Sequence, residues 1–283
     1  MQDLHRQNIY CDFYAKHIKT CHSDDIPSHF HDHIEIYILI SGGKACLIDN
    51  KLYEIKPHDL LIFKPDHIHG IIRNENEVFE RYIISASPYF LQRVIEGNEL
   101  YAVNRILNNN ENIIVSLSDE EFEELSELFE AYNSFRQCKE KAKPFYYTLR
   151  KYRFVELMLC TLIAVQKHKT LNRELIHQNP MIASVLEYIE ANFDSVTLET
   201  LAQHFNVTKN YMCILFKSNT SMTVNNYILS KKITHAKKFL AEGKNVTETS
   251  ELCGFSDSTN FIRVFKRYTN MSPKKYQIEL KND

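Results

Sequence analysis

The stretch GFSDSTNFIRVFKRYTNMSPKKY, residues 254–276, decides the reading of this chain. Phe255, Phe261, Val264 and Phe265 recur at helical spacing and need a core. Ser258, Thr259, Ile262 and Arg263 fall on the opposite face. A short helix with an aromatic back and a small, polar front suits insertion into a DNA groove. Gly254 supplies the tight turn before it, and Ser256 or Asp257 supplies its N-cap.

Some fifty residues upstream the same design occurs. Thr197 caps a helix reading LETLAQHF, with small Ala202 where two helices must approach closely. Asn206 stands at the turn position that wants a positive φ, which Asn tolerates better than most residues. Thr208 then starts KNYMCILFK, whose Met212, Leu215 and Phe216 face inward. In the second unit VTETSEL is the first helix, with Ser250 as its small residue, and Phe216-Lys217 repeats as Phe265-Lys266. The segment 223–240 is the long helix joining two helix-turn-helix units, expected at about 197–218 and 246–268.

These residues carry a family resemblance. GFSDSTNFIRVFKRYTNMSPKKY closely resembles the signature of the AraC/XylS family of bacterial transcription regulators, and VTLETLAQHFNVTKNYMCILFKSNTSMTVNNYI, from Val196, resembles the family's first unit. The resemblance covers about residues 180–280. It implies that both recognition helices enter successive major-groove segments of double-stranded promoter DNA. Carried over position by position, the base-facing residues are Asn210, Cys213 and Ile214 in the first unit and Ser258, Thr259, Ile262 and Arg263 in the second. Arg263 can bond guanine in bidentate fashion and Asn210 adenine, while Ile214 or Ile262 can touch a thymine methyl. Lys209, Lys217, Lys266 and Lys274 are read as phosphate contacts.

The remaining sequence is of another kind. From about residue 28 to 87, IEIYILI, KACLIDN, KLYEI, DLLIFK and RYIIS are short β-rich runs separated by SGG, DNK and KPHD turns. This pattern predicts a small sandwich or barrel. Within HFHDHIEIYILISGG, His29-x-His31-x3-Glu35 followed by Gly42 resembles a cupin motif, and His69 in PDHIH stands where cupins supply another histidine. Alternate strand residues face one way, so His29, His31 and Glu35 can converge. Two roles compete for them: a metal set with His69, or the lining of a sensor pocket without metal. The fused DNA-binding repeat favours the second, so no metal and no other cofactor is assigned. The expected effector pocket is His29, His31, Glu35, Tyr37, His69 and Tyr82. The domain's aromatics, which also include Tyr10, Tyr14, Phe30, Tyr53 and Phe63, can stack on a sugar face, and a carbohydrate is the favoured effector.

From Pro88 to His168 the pattern is helical. Ser118 and Glu121 form a capping box ahead of Phe122, Leu125, Phe129 and Tyr132. A second helix from about Pro144 places Phe145, Leu149, Tyr152, Leu159 and Leu162 on one stripe. Each stripe either packs on the sheet or forms a dimer seam, and a homodimer is expected. TLNRELIHQNP, 170–180, is read as a linker between a sensor and dimerisation domain at 1–169 and a DNA-binding domain at 181–283. The fold class expected is α+β, a cupin-like β-barrel with flanking helices followed by an all-α domain.

Composition agrees with this division. The 283 residues suffice for two cores. Net charge is −2, yet residues 181–283 hold 13 Lys and Arg against 10 Asp and Glu. Seven cysteines, an odd number with no CxxC, favour reduced thiols in a cytoplasmic protein. The longest apolar run, 154–165, contains Glu156 and is too short to span a bilayer. The expected function is a DNA-binding transcription regulator, an activator that would engage RNA polymerase, with no catalytic residues. The rivals are a metal-dependent cupin enzyme with a DNA-binding tail, and a regulator controlled by a protein partner with no effector.

Overall fold

A computed structural model of the chain describes residues 12–20, 26–49, 51–65, 67–73, 77–107, 113–137, 145–171, 174–175, 180–220, 222–269 and 271–282. Tyr10, Cys11, Cys21, Cys138 and most of the expected linker lie outside the described residues. Among those described, Cys46, Cys160, Cys213 and Cys253 are free thiols.

The strand-rich half forms two five-stranded antiparallel sheets. The first has the order β1 (Phe13–Thr20), β8 (Phe79–Ala86), β3 (Ile34–Ser41), β6 (Asp59–Phe63), β9 (Ile113–Ser116). The second has the order β10 (Glu174–Leu175), β5 (Lys51–Glu54), β4 (Ala45–Ile48), β7 (His69–Ile72), β2 (Ile26–His29). Where a barrel was expected, the two sheets face each other, and no ladder among the described residues closes them into a cylinder. The short strand Glu174–Leu175 lies inside the segment read as linker and pairs with Leu52 and Tyr53.

Every strand alternates its side chains, and here both faces are covered. Facing inward between the sheets are Tyr37, Leu39, Cys46, Ile48, Tyr53, Leu61, Phe63, Ile71, Phe79 and Ile83, all buried. The outer face of the first sheet carries Ile34, Ile36, Ile38, Leu60, Ile62, Tyr82 and Ile84. Helices α1 (Pro88–Val94), α2 (Gly97–Leu107), α3 (Asp119–Gln137) and α4 (Tyr146–Lys167) cover it. The Ser118–Glu121 capping box is formed, with both reciprocal hydrogen bonds.

The two expected helical stripes meet different fates. Leu125, Phe129 and Tyr132 on α3 are buried. On α4 the buried face is Phe154, Leu157, Met158, Thr161, Leu162 and Val165. Phe145, Leu149 and Tyr152, expected beside Leu162, are 77%, 51% and 61% exposed. The stripe read from sequence therefore straddles two faces, and its N-terminal part is exposed among the described residues.

The helical half comprises α5 (Pro180–Ala191), α6 (Leu198–His204), α7 (Lys209–Thr220), α8 (Val224–Ala241), α9 (Val246–Leu252), α10 (Ser258–Thr269) and α11 (Pro273–Asn282). It covers the outer face of the second sheet. Phe30, Ala45, Leu47, Leu52 and Ile68 join Ile182, Phe216, Tyr227 and Phe265 in one apolar cluster. Phe30 stacks on Tyr268, rings 5.4 Å apart and 9° from parallel, and Lys237 sits 5.5 Å above the Phe30 ring. No helix of the described residues is long and apolar enough to cross a membrane.

Candidate nucleic-acid interface and sensor cluster

Each helix-turn-helix is built by local chemistry. Thr197 caps α6 in a capping box with Thr200, and Asn206 takes φ +53 in the turn. The Thr208 hydroxyl accepts from Tyr211 N–H, capping α7. In the second unit Asn245 caps α9, with its side chain accepting from Glu248 N–H. Gly254 takes φ +63, and Asp257, rather than Ser256, caps α10 by accepting from Asn260 N–H at 2.7 Å. Behind each recognition helix, Met212, Leu215 and Phe216, and then Phe261, Val264 and Phe265, are buried.

The fronts of both helices are open. On α7, Asn210, Cys213 and Ile214 are exposed. On α10, Thr259, Ile262 and Arg263 are exposed and Ser258 is half-buried. Lys217, Lys266 and Lys274 are exposed as well, while the Lys209 ammonium is paired with Glu199. Asn260 belongs to the polar run of this helix in the sequence, but sequence reasoning gave it no role. Its side-chain oxygen accepts from the Arg263 guanidinium at 2.9 Å, one helical turn away, and so aims the longest side chain of the face. The i−3 spacing was the available signal.

A buried lysine ties the second unit to the rest of its domain. Lys232 donates to the backbone carbonyls of Asp194, at 2.9 Å, and Gly254, at 2.7 Å. Burial lowers its pKa from the ordinary value. Nothing in its sequence context marks it.

In the sensor half, four of the six expected pocket residues come together. His29 and His69 are cross-strand partners on β2 and β7, and Glu35 projects from β3 of the opposite sheet. Glu35 Oε2 lies 3.2 Å from His31 Nε2 and 3.3 Å from His69 Nε2. Burial alone would raise the Glu35 carboxyl, but His31 and His69 hold it well below the usual carboxylate range. Tyr37 is buried nearby, edge-on to Phe63, which stacks on His69. Tyr82 is elsewhere: it faces out of the sheet and stacks on Phe129 of α3. In its place stands Tyr14, whose hydroxyl donates to Glu35 Oε1 at 3.1 Å. Alternation along β1 was the only sequence signal for it.

The two halves also meet through charge. Tyr227 donates to the Asp49 carbonyl at 2.9 Å. Lys231 lies 2.7 Å from Glu190 and 3.7 Å from Asp49, and His67 lies 2.6 Å from Asp49. Asp49, His67, Glu190, Lys231 and His235 line a cavity of about 400 Å³. A hydrogen bond from His235, then the Lys231 charge, carry the Glu190 carboxyl from its ordinary 4.5 down to about 2. A depressed carboxylate stabilises the folded state above its ordinary value, and that contribution is lost as pH falls through the depressed one. Glu190→Gln is thus expected to lower the melting temperature at pH 6, and the gap from wild type to narrow below pH 4.5 and close near pH 2. Thermal melts of both proteins across this range check it, and a gap constant with pH would contradict it.

Comparison with known proteins bears on both halves. Residues 17–146 match the model of an AraC-like ligand binding domain, and residues 201–278 match a helix-turn-helix domain. An HTH-type transcriptional regulator from the cgkA 5′ region of Pseudoalteromonas carrageenovora is 38% identical over 100 residues, covering 35% of this chain and 60% of that protein. YbfI, an HTH-type regulator of Bacillus subtilis, is 23% identical over 240 residues, covering 83% of this chain and 80% of its own. The melibiose operon regulatory protein of Escherichia coli is 27% identical over 103 residues, covering 36% and 34%. The chain thus spans less than two thirds of the first and third of these relatives. Among solved structures, ToxT from Vibrio cholerae is 13% identical, covering 94% of this chain and 98% of its own, with a TM-score of 0.37.

Proposed function

The chain belongs to the AraC family of transcription regulators, and from that premise we propose that it binds promoter DNA as a homodimer, through α7 and α10, under control of its sensor half. The observation that carries this reading is the pair of recognition helices, each with a buried aromatic back and an open front of small, polar and basic residues. Activation, with RNA polymerase as the further partner, is part of the proposal, as is a small-molecule effector. Sugar-operon regulators such as the melibiose regulator stand among the relatives, which supports a carbohydrate. That match covers only 34% of the melibiose regulator. The domain division at residues 170–180 is likewise proposed.

One observation favours the partner-controlled alternative for the sensor. The space between the two sheets is filled by Tyr37, Leu39, Leu61, Phe63, Phe79 and Ile83, all buried. A sugar would therefore bind at an edge of the sandwich or between the halves, not in its centre.

Selection of random duplexes by the full-length protein tests the DNA reading. Recovery of a motif with two major-groove segments per protomer supports it, and recovery of no motif overturns it. On the recovered site, Arg263→Ala is expected to lose about 1–3 kcal/mol of discrimination at one base position. Lys266→Ala is expected instead to reduce the salt dependence of binding, with base preference intact. Equal weakening of all sequences by Arg263→Ala would make it a phosphate contact.

A further inference from the structure

We propose that His29, His31, Glu35 and His69 bind one divalent first-row transition-metal ion per chain, with zinc as the ion that fits best. Their donor atoms all lie within 4.8 Å of one another. Ligands at about 2.0–2.2 Å from a tetrahedral zinc ion stand about 3.3–3.6 Å apart. Glu35 Oε2 stands 3.2 Å from His31 Nε2 and 3.3 Å from His69 Nε2. The His29 ring lies 4.6 Å from that of His69 and 5.5 Å from that of His31, so a small rotation brings its nitrogen to the same point. Three imidazoles and one carboxylate are a donor set suited to zinc and its neighbours rather than to calcium or magnesium.

Hydrogen-bond accounting points the same way. His31 Nδ1 lies 3.0 Å from the His33 carbonyl, and His69 Nδ1 lies 3.0 Å from the His67 carbonyl. A carbonyl only accepts, so each Nδ1 must carry a proton. In a neutral ring Nε2 then presents a lone pair, and here both lone pairs are aimed at one carboxylate oxygen. The cluster is closed to solvent at its centre, where Glu35 is 2% and His69 1% exposed. A dication among the three atoms turns every one of these lone pairs into a ligand. The outer bonds complete the pattern: backbone carbonyls orient two histidines through Nδ1, and Tyr14 holds Glu35 Oε1, leaving Oε2 to face the ion. The donors are too close together to admit an organic ring, which separates this role from pocket lining.

The test uses untagged full-length protein, stripped with a chelator and titrated first with Co²⁺ and then with Zn²⁺, without DNA. It is thus independent of the DNA-binding reading. The expected result is one Co²⁺ per chain with the intense visible bands of a four- or five-coordinate site, displaced by one equivalent of Zn²⁺. Glu35→Gln and His31→Ala are expected to weaken Zn²⁺ binding at least 10-fold, and His17→Ala, on the outside of β1, to leave it unchanged. Wild-type protein showing only the pale spectrum of the hydrated ion would overturn the proposal without any variant. So would a full-strength site in the His31→Ala/Glu35→Gln double variant, which would place the ion elsewhere. Melting curves of the metal-free variants separate loss of ligands from loss of fold.

Discussion

Gly254→Ala is expected to unfold the DNA-binding half or bring it close to unfolding. Gly254 takes φ +63, and a Cβ built on it would sit 1.6 Å from the Asp194 carbonyl oxygen and 2.5 Å from its carbon. Both obstacles are backbone, so neither can swing aside. The same carbonyl accepts from Lys232 Nζ, as does the Gly254 carbonyl itself. Moving the 192–195 turn to admit a methyl group therefore breaks the bonds of a buried ammonium. Left-handed strain costs about 1–2 kcal/mol, and losing hydrogen bonds to a charged group adds about 1.5–3 kcal/mol. A cost on the order of 3–5 kcal/mol is a large share of the stability of a domain this size. Gly243→Ala is the natural control: φ is +89, yet nothing lies within 4 Å of the added atom. Thermal unfolding of both variants decides the matter. If they melt within about 2 °C of each other, the close approach to Asp194 does not constrain the fold.

The second large effect concerns assembly. On α4, and on Phe145 just before it, Phe145, Leu149, Tyr152, Leu159 and Ile163 follow the alternating four-and-three spacing of a coiled-coil seam, with Glu156 taking one position. Leu149, Tyr152 and Ile163 are 51%, 61% and 53% exposed, although the opposite face of the helix is packed against the first sheet. An apolar stripe outside a helix already buried on its other side is a surface in search of a partner, and in the proposed homodimer a second copy of α4 would supply the matching seam. Leu149→Asp/Tyr152→Asp is expected to convert the proposed dimer to monomer in light scattering. Affinity for paired DNA sites should then fall about 10²–10⁴-fold, because the second site loses its tethered concentration. Affinity for a single half-site should not change. Wild-type protein that is monomeric at tens of micromolar would sink the seam.

How far the sequence could be read depended on the range of the interactions. The helix-turn-helix units were legible because their determinants are local. Caps at Thr197 and Asp257, the left-handed Asn206 and Gly254, and the aromatic backs each act within one or two turns of chain. The expected α+β class followed from the β-rich runs, but His29 and Glu35 converge from strands of opposite sheets with His31 in the connection between them, a juxtaposition that alternation along one strand does not encode. Tyr82 was placed in the pocket because a strand buried on both faces, such as RYIIS, gives no sign of which face is inner. The α4 stripe was misjudged for the same reason, since two apolar faces overlap in one helix. The docking of the helical half onto Phe30, Leu47 and Leu52 is a contact between distant segments and leaves no periodic trace.

That docking gives strand β2 and the residues after it a double life. His29 and His31 point into the sandwich, while Phe30, between them, points out and lies flat on Tyr268 at the end of α10. The buried cluster and the DNA-reading helix are thus separated by a single residue of extended chain, and the pleat makes them opposite ends of one rocker. News of what the sensor holds need not travel through residues 170–180 at all. The message can pass through the wall.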